Sequence, residues 1–263
     1  MNETLEVAGC RLVAEITPGA GGPIVFLHGA SSSREDARRI LALADTGRPL
    51  LMPDSRGHGG SAEGEVDRQS WQQLTDDAVA WLDHVDARDA VVAGVSMGAI
   101  IAPAVALARP DRVSSLVPIY PVYLGNDVPP EPDHEKALAF LLASFSVPDV
   151  DAILAAVAAV APDRDIEPVR ARLALHDNLD GMCSYFRDDR SAQSLSYSTA
   201  DLRGIRLPVT VVGGADPFHP AEVARRLAPL FASSTLVELV DVAPEDHEAA
   251  MAKAIAEHVA RLS

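Results

Sequence analysis

A chain of 263 residues, 48% hydrophobic and 23% charged, has room for one large α/β domain or two small ones with a sizeable core. Its formal net charge of −16 repels phosphate and anionic headgroups, which argues against nucleic-acid and membrane partners. No apolar run approaches the roughly 18 to 20 residues of a membrane span. The start, Met1-Asn2-Glu3-Thr4, lacks the features of a signal peptide, so a cytoplasmic location is expected.

Residues 4–17, with Gly9 near the centre, read as a small antiparallel hairpin. Short continuous apolar runs then follow at 24–27, 49–53, 91–93, 113–119, 209–212 and 235–240. Runs of that length without polar alternation are strands buried on both faces, as in a parallel sheet. Helical spacing of apolar residues lies between and after them, at 34–44, 70–85, 97–108, 220–231 and 248–262. The alternation predicts a mostly parallel α/β sheet with helices on both faces.

Residues 121–204 break that rhythm. They carry no convincing strand, only helix-like runs at 135–145, 149–160, 169–175 and somewhere within 179–202, punctuated by prolines. A structureless loop this long is improbable in a compact domain. The segment is therefore expected to be a helical lid over the carboxyl ends of the strands, with residues 1–120 and 205–263 as the core. Cys10 and Cys183 form no metal-binding pattern and read as reduced structural residues.

The chemistry centres on Gly94-Val95-Ser96-Met97-Gly98, between a strand and a helix. Glycines on either side let strand and helix close up around a serine in a strained backbone conformation. The turn presents the hydroxyl at the end of the sheet, above a helix N-terminus suited to an oxyanion. Such a hydroxyl needs a base. Among eight histidines, His247 is the expected one, because it stands on the loop after the last strand. His258 is expected on a packed or solvated helix face, and His84, His134 and His176 lie within helices, at their ends or in the lid. His219, close to Asp216, is expected at an exposed helix start. Asp216, on the loop Gly213-Gly214-Ala215-Asp216-Pro217, is expected to orient the imidazole, with a helix N-cap as its alternative role. Asp241 and Asp246 are its rivals by nearness to His247.

These pieces, with His28-Gly29-Ala30 and Asp54-Ser55-Arg56-Gly57-His58-Gly59-Gly60-Ser61, resemble the α/β-hydrolase superfamily over about residues 24–247. The resemblance implies a cofactor-free and metal-free serine hydrolase of a small-molecule ester or lactone, with backbone amides of Ala30 and Met97 as oxyanion donors. It also implies that Arg56 and His58 are architectural. In related dehalogenases and epoxide hydrolases the elbow nucleophile is an aspartate, so Ser96 argues against both. Thioester hydrolysis, carbon–carbon bond cleavage, lyase chemistry and a binding module without turnover remain alternatives. His28, Tyr120, Tyr123, Tyr185 and Phe186 are the candidate substrate contacts. Two departures from the family pattern are the lack of a glycine before His247, in Ala243-Pro244-Glu245-Asp246-His247, and a lid whose sequence assigns it to no particular substrate.

Overall fold

The computed structural model describes residues 1–61, 70–160, 162, 165–187 and 195–262. Eight strands form one sheet: β1 (Asn2–Val7), β2 (Cys10–Thr17), β3 (Ile24–Leu27), β4 (Leu50–Pro53), β5 (Ala90–Val95), β6 (Val113–Ile119), β7 (Val209–Gly213) and β8 (Ser234–Glu238). Their spatial order is β1-β2-β4-β3-β5-β6-β7-β8. The hairpin β1/β2 is antiparallel and joins β4 antiparallel, while every pair from β4 to β8 is parallel.

The apolar runs are continuous because each strand feeds two cores. Val25, Leu27, Val92 and Leu116 face α2 (Trp71–His84) and α3 (Met97–Ala108), in a core that also takes in Leu227 of α9 (Ala221–Leu227). Ile24, Phe26, Val91, Ala93 and Val117 face α1 (Arg34–Ala44) and α10 (His247–Ala260). Alternate residues of one strand thus fill opposite layers. Ser33 and Ser70 cap α1 and α2 by accepting the N–H groups of Glu35 and Gln73. The helix expected at 220–231 ends at Leu227 and tightens into a 3-10 turn over Ala228–Leu230, where Pro229 has no amide to continue it.

Between β6 and β7 the described chain is helical. It contains α4 (Pro132–Phe145), α5 (Val150–Val160), α6 (Glu167–Leu173), α7 (Leu179–Arg187) and α8 (Thr199–Gly204). The helical run expected within 179–202 becomes α7 and α8, and its residues 188–194 lie outside the described residues. This insertion meets the core at loops that follow strands and at α1. His176 accepts the Gly59 N–H at 2.9 Å, the Asp177 N–H donates to the Gly59 carbonyl at 3.0 Å, and Arg172 pairs with Asp36 at 3.0 Å. On the other side His134 Nε2 donates to the Phe218 carbonyl at 3.0 Å. These anchors set the insertion at the carboxyl-terminal edge of the sheet. Among the described residues, no helix is long and apolar enough to cross a membrane.

Candidate active site

Ser96 occupies the turn between β5 and α3 at φ 54° and ψ −107°, a conformation that side chains rarely adopt. The flanking glycines are sterically required. A Cβ at Gly94 would stand 2.3 Å from the Gly98 carbonyl oxygen, and one at Gly98 would stand 2.0 Å from that of Leu27. The Ser96 N–H donates to the Ile119 carbonyl at 2.9 Å, and its own carbonyl accepts the Ala99 and Ile100 amides. With its backbone bound to β6 and α3, the residue has only its hydroxyl to offer.

Met97 is the first residue of α3, so its N–H has no carbonyl to meet within the helix. The loop after β3 passes close by, since a Cβ on Gly29 would lie 3.5 Å from Ser96 Cβ. Ala30, half-buried, comes next. Met97 thus adjoins Ser96 in the chain, and the residue before Ala30 packs against it.

The partner of Ser96 is His219. Its Nε2 lies 2.9 Å from Ser96 Oγ, and its Nδ1 lies 3.0 Å from each Asp216 oxygen. The turn Asp216-Pro217-Phe218-His219 explains how residues three apart meet. Asp216 Oδ1 accepts the backbone N–H of Phe218 at 2.8 Å and of His219 at 2.9 Å, which folds the imidazole back onto the carboxylate. Asp216 thus partners an imidazole, though that of His219 and not of His247, and it does not cap α9, whose N-cap is Pro220. Burial disfavours its charge, but His219 and the two backbone amides outweigh that and hold the carboxyl well below the usual range.

His247 does not meet Ser96. It opens α10, and its ring is engaged at both nitrogens, Nε2 with the Val242 carbonyl at 3.1 Å and Nδ1 with the Tyr120 hydroxyl at 2.6 Å. Tyr120 packs against both imidazoles, stacked on His219 with ring centroids 5.4 Å apart and edge-on to His247 at 5.9 Å. The expected exposed position of His219 is likewise corrected, because its side chain retains only 17% of its exposure.

Two of the expected substrate contacts turn inward. His28 is fully buried, with Nε2 accepting the Ser55 N–H at 2.9 Å and Nδ1 donating to the Gly29 carbonyl at 2.8 Å. It braces the loop carrying Ala30, and burial lowers its pKa so that the ring stays neutral. Phe186 is buried within the insertion against Phe145, centroids 5.1 Å apart. Tyr185 lies on α7, with its side chain outside the described residues. Tyr123 lines a mostly apolar cavity of about 330 Å³ with Val122, His134, Pro217, Pro220 and Val223. This cavity lies behind the turn that carries His219. Arg56 and His58 are buried as expected of architectural residues, Arg56 in a paired contact with Asp77 at 2.8 and 2.9 Å.

The chain is similar to known proteins in sequence and in fold. A family model described as "Alpha/beta hydrolase family" matches residues 24–257. Epoxide hydrolase A of Mycobacterium tuberculosis is 35% identical over 130 residues, covering 48% of this chain and 40% of that protein. An esterase of the same organism is 27% identical over 219 residues, 79% of this chain and 72% of that protein. The match spans less than half the length of the epoxide hydrolase and of a haloalkane dehalogenase relative. Among solved structures, an esterase from Exiguobacterium antarcticum aligns with a TM-score of 0.78 at 18% identity, over 99% of this chain and 100% of its own. The enol-lactonase from Burkholderia xenovorans aligns with a TM-score of 0.74 at 20% identity, over 98% and 100%. With a family match running from β3 into α10 and the same architecture in solved structures, this chain belongs to the alpha/beta hydrolase family.

Proposed function

We propose that this protein is a serine hydrolase of small carboxylic esters or lactones, using Ser96, His219 and Asp216. The observation that carries the reading is the continuous contact from Ser96 Oγ through both nitrogens of His219 to Asp216. Asp216 can only accept at Nδ1, so Nδ1 bears the proton and Nε2 is free to take the serine proton.

As Oγ attacks an acyl carbonyl, Nε2 removes its proton and Asp216 stabilises the imidazolium that forms. The amides of Ala30 and Met97 receive the developing oxyanion, and each such donor is worth about 3 to 4 kcal/mol. The imidazolium returns its proton to the leaving alcohol. Water then enters, loses a proton to Nε2 and releases the acid, restoring Ser96.

An alcohol nucleophile favours acyl transfer over epoxide or haloalkane opening. Attack on an alkyl carbon would leave an ether on Ser96, and no second carbonyl step could release it. The esterase among the relatives agrees with this choice. The helical insertion, anchored at the loops after β4 and β7, would act as the lid that limits substrate size. The test is labelling by a fluorophosphonate together with p-nitrophenyl ester turnover. Native protein should label and turn over, and Ser96→Ala should do neither while keeping its circular dichroism spectrum. Residual turnover above about a thousandth of native would exclude a serine nucleophile.

A further inference from the structure

We propose that Tyr120 and His247 form a positioning pair that holds the His219 imidazole in the orientation from which it reaches Ser96. The inference rests on His219 being the base.

The polarity of the pair follows from its partners. The Val242 carbonyl can only accept, so His247 Nε2 carries a proton and donates it at 3.1 Å, which in the neutral tautomer leaves Nδ1 bare. His247 Nδ1 is then an acceptor, and the Tyr120 hydroxyl donates to it at 2.6 Å. That bond fixes the tyrosine ring, whose face stacks on His219 at 5.4 Å with an interplanar angle of 30°. The backbone of Tyr120 is committed as well. It sits at φ 54°, and its N–H donates to the Val212 carbonyl of β7 at 2.7 Å. A strained, bulky residue persists only where its surroundings impose it.

Gly214 completes the bracket. A Cβ there would stand 3.0 Å from both Tyr120 Cδ1 and the His219 carbonyl oxygen, so the ring and the turn close directly over that backbone. His219 is thereby fixed by Asp216 at one ring edge and by Tyr120 across one face. Rotation about its side-chain bonds would break the stack or the carboxylate contact. His247 touches neither Ser96 nor Asp216 in this arrangement and acts through Tyr120.

The test is the kcat and KM of a p-nitrophenyl ester for Tyr120→Phe, His247→Ala, His247→Asn, the double variant Tyr120→Phe/His247→Ala, and His219→Ala. Tyr120→Phe removes one hydroxyl and keeps the ring, so it should fold. Each of Tyr120→Phe and His247→Ala should lower kcat about tenfold at nearly constant KM, since a misaligned base loses rate rather than binding. The double variant should be no worse than the poorer single one, because the two residues act through one bond. Asparagine places an amide oxygen near the position of Nδ1, so His247→Asn should recover most of the kcat lost in His247→Ala.

Native kcat in both single variants, losses confined to KM, or losses that multiply would overturn the positioning role while leaving His219→Ala inactive. An active His219→Ala beside inactive His247→Ala and His247→Asn would instead overturn the assignment of the base. The two failures are therefore distinct.

Discussion

Replacing Asp216 by asparagine tests the proposed proton path at its least replaceable link. Asp216 Oδ1 accepts two backbone amides, at 2.8 and 2.9 Å, and both carboxylate oxygens meet His219 Nδ1 at 3.0 Å. An asparagine carbonyl oxygen still accepts the two amides, so the turn and the fold should survive. Its NH₂ group takes the Oδ2 position, 3.0 Å from Nδ1, where a second donor favours the tautomer with the proton on Nε2, and the uncharged amide no longer stabilises an imidazolium. The variant keeps the geometry and loses the base.

The expected fall in kcat is about 10⁴-fold, or about 5.5 kcal/mol in the barrier, with KM little changed. Initial rates on a p-nitrophenyl ester, with a thermal melt of the same sample, measure both sides of the claim. A variant with more than a tenth of native kcat would refute the role of Asp216. An unfolded variant would refute the reasoning that the amide oxygen can maintain the turn.

Gly98→Ala forces a Cβ against the Leu27 carbonyl at 2.0 Å inside β3, and should destabilise by about 3 kcal/mol or more, read from denaturant midpoints. Buried His258, held at a pKa of about 4 by burial and by Arg261 and Arg48, is neutral when folded, whereas the unfolded residue protonates near 6.5. The unfolded state binds the extra proton between those values, so stability should fall by about 3 kcal/mol as pH drops from 6.5 to 4 and level off below. His258→Leu should flatten most of that slope in urea titrations at several pH values. Amide exchange should be faster over α4 and α5 than over β3 and β5, and a phosphonate on Ser96 should slow it there. Equal protection that the inhibitor leaves unchanged would count against a moving lid.

Much of the architecture was legible because buried strands feeding two cores leave long apolar runs. The runs at 24–27 and 113–119 coincide with β3 and β6, and the helix at 34–44 coincides with α1. The elbow was legible for a local reason, since its steric needs are written into Gly94 and Gly98. The histidine was not. His247 has the expected place after the last strand, but whether it faces Ser96 depends on Val242 and Tyr120, which only tertiary packing brings to it. A signal for His219 did exist in Asp216-Pro217-Phe218-His219, where an aspartate can cap the two following amides and draw back a side chain three residues on. The place of His247 on the loop after the last strand outweighed it. His28 was misjudged similarly, because its place beside the elbow is visible in sequence while its bond to Ser55 is not.

Placing Asp216 and His219 on one four-residue turn has a mechanical consequence. The carboxylate and the proposed base are not carried by separate loops that must be kept in mutual register. They travel together, with the carboxylate–imidazole contact internal to the moving piece. Displacing the turn would leave that contact intact while changing the reach from Nε2 to Ser96 Oγ, 2.9 Å, and the contacts with Tyr120 and His134. Beside it lies the cavity of about 330 Å³ bounded by Pro217 and Pro220, so free volume is stored next to the turn. In the proposed mechanism, substitutions that fill or enlarge the cavity would shift the turn and so change the rate at which His219 takes the serine proton.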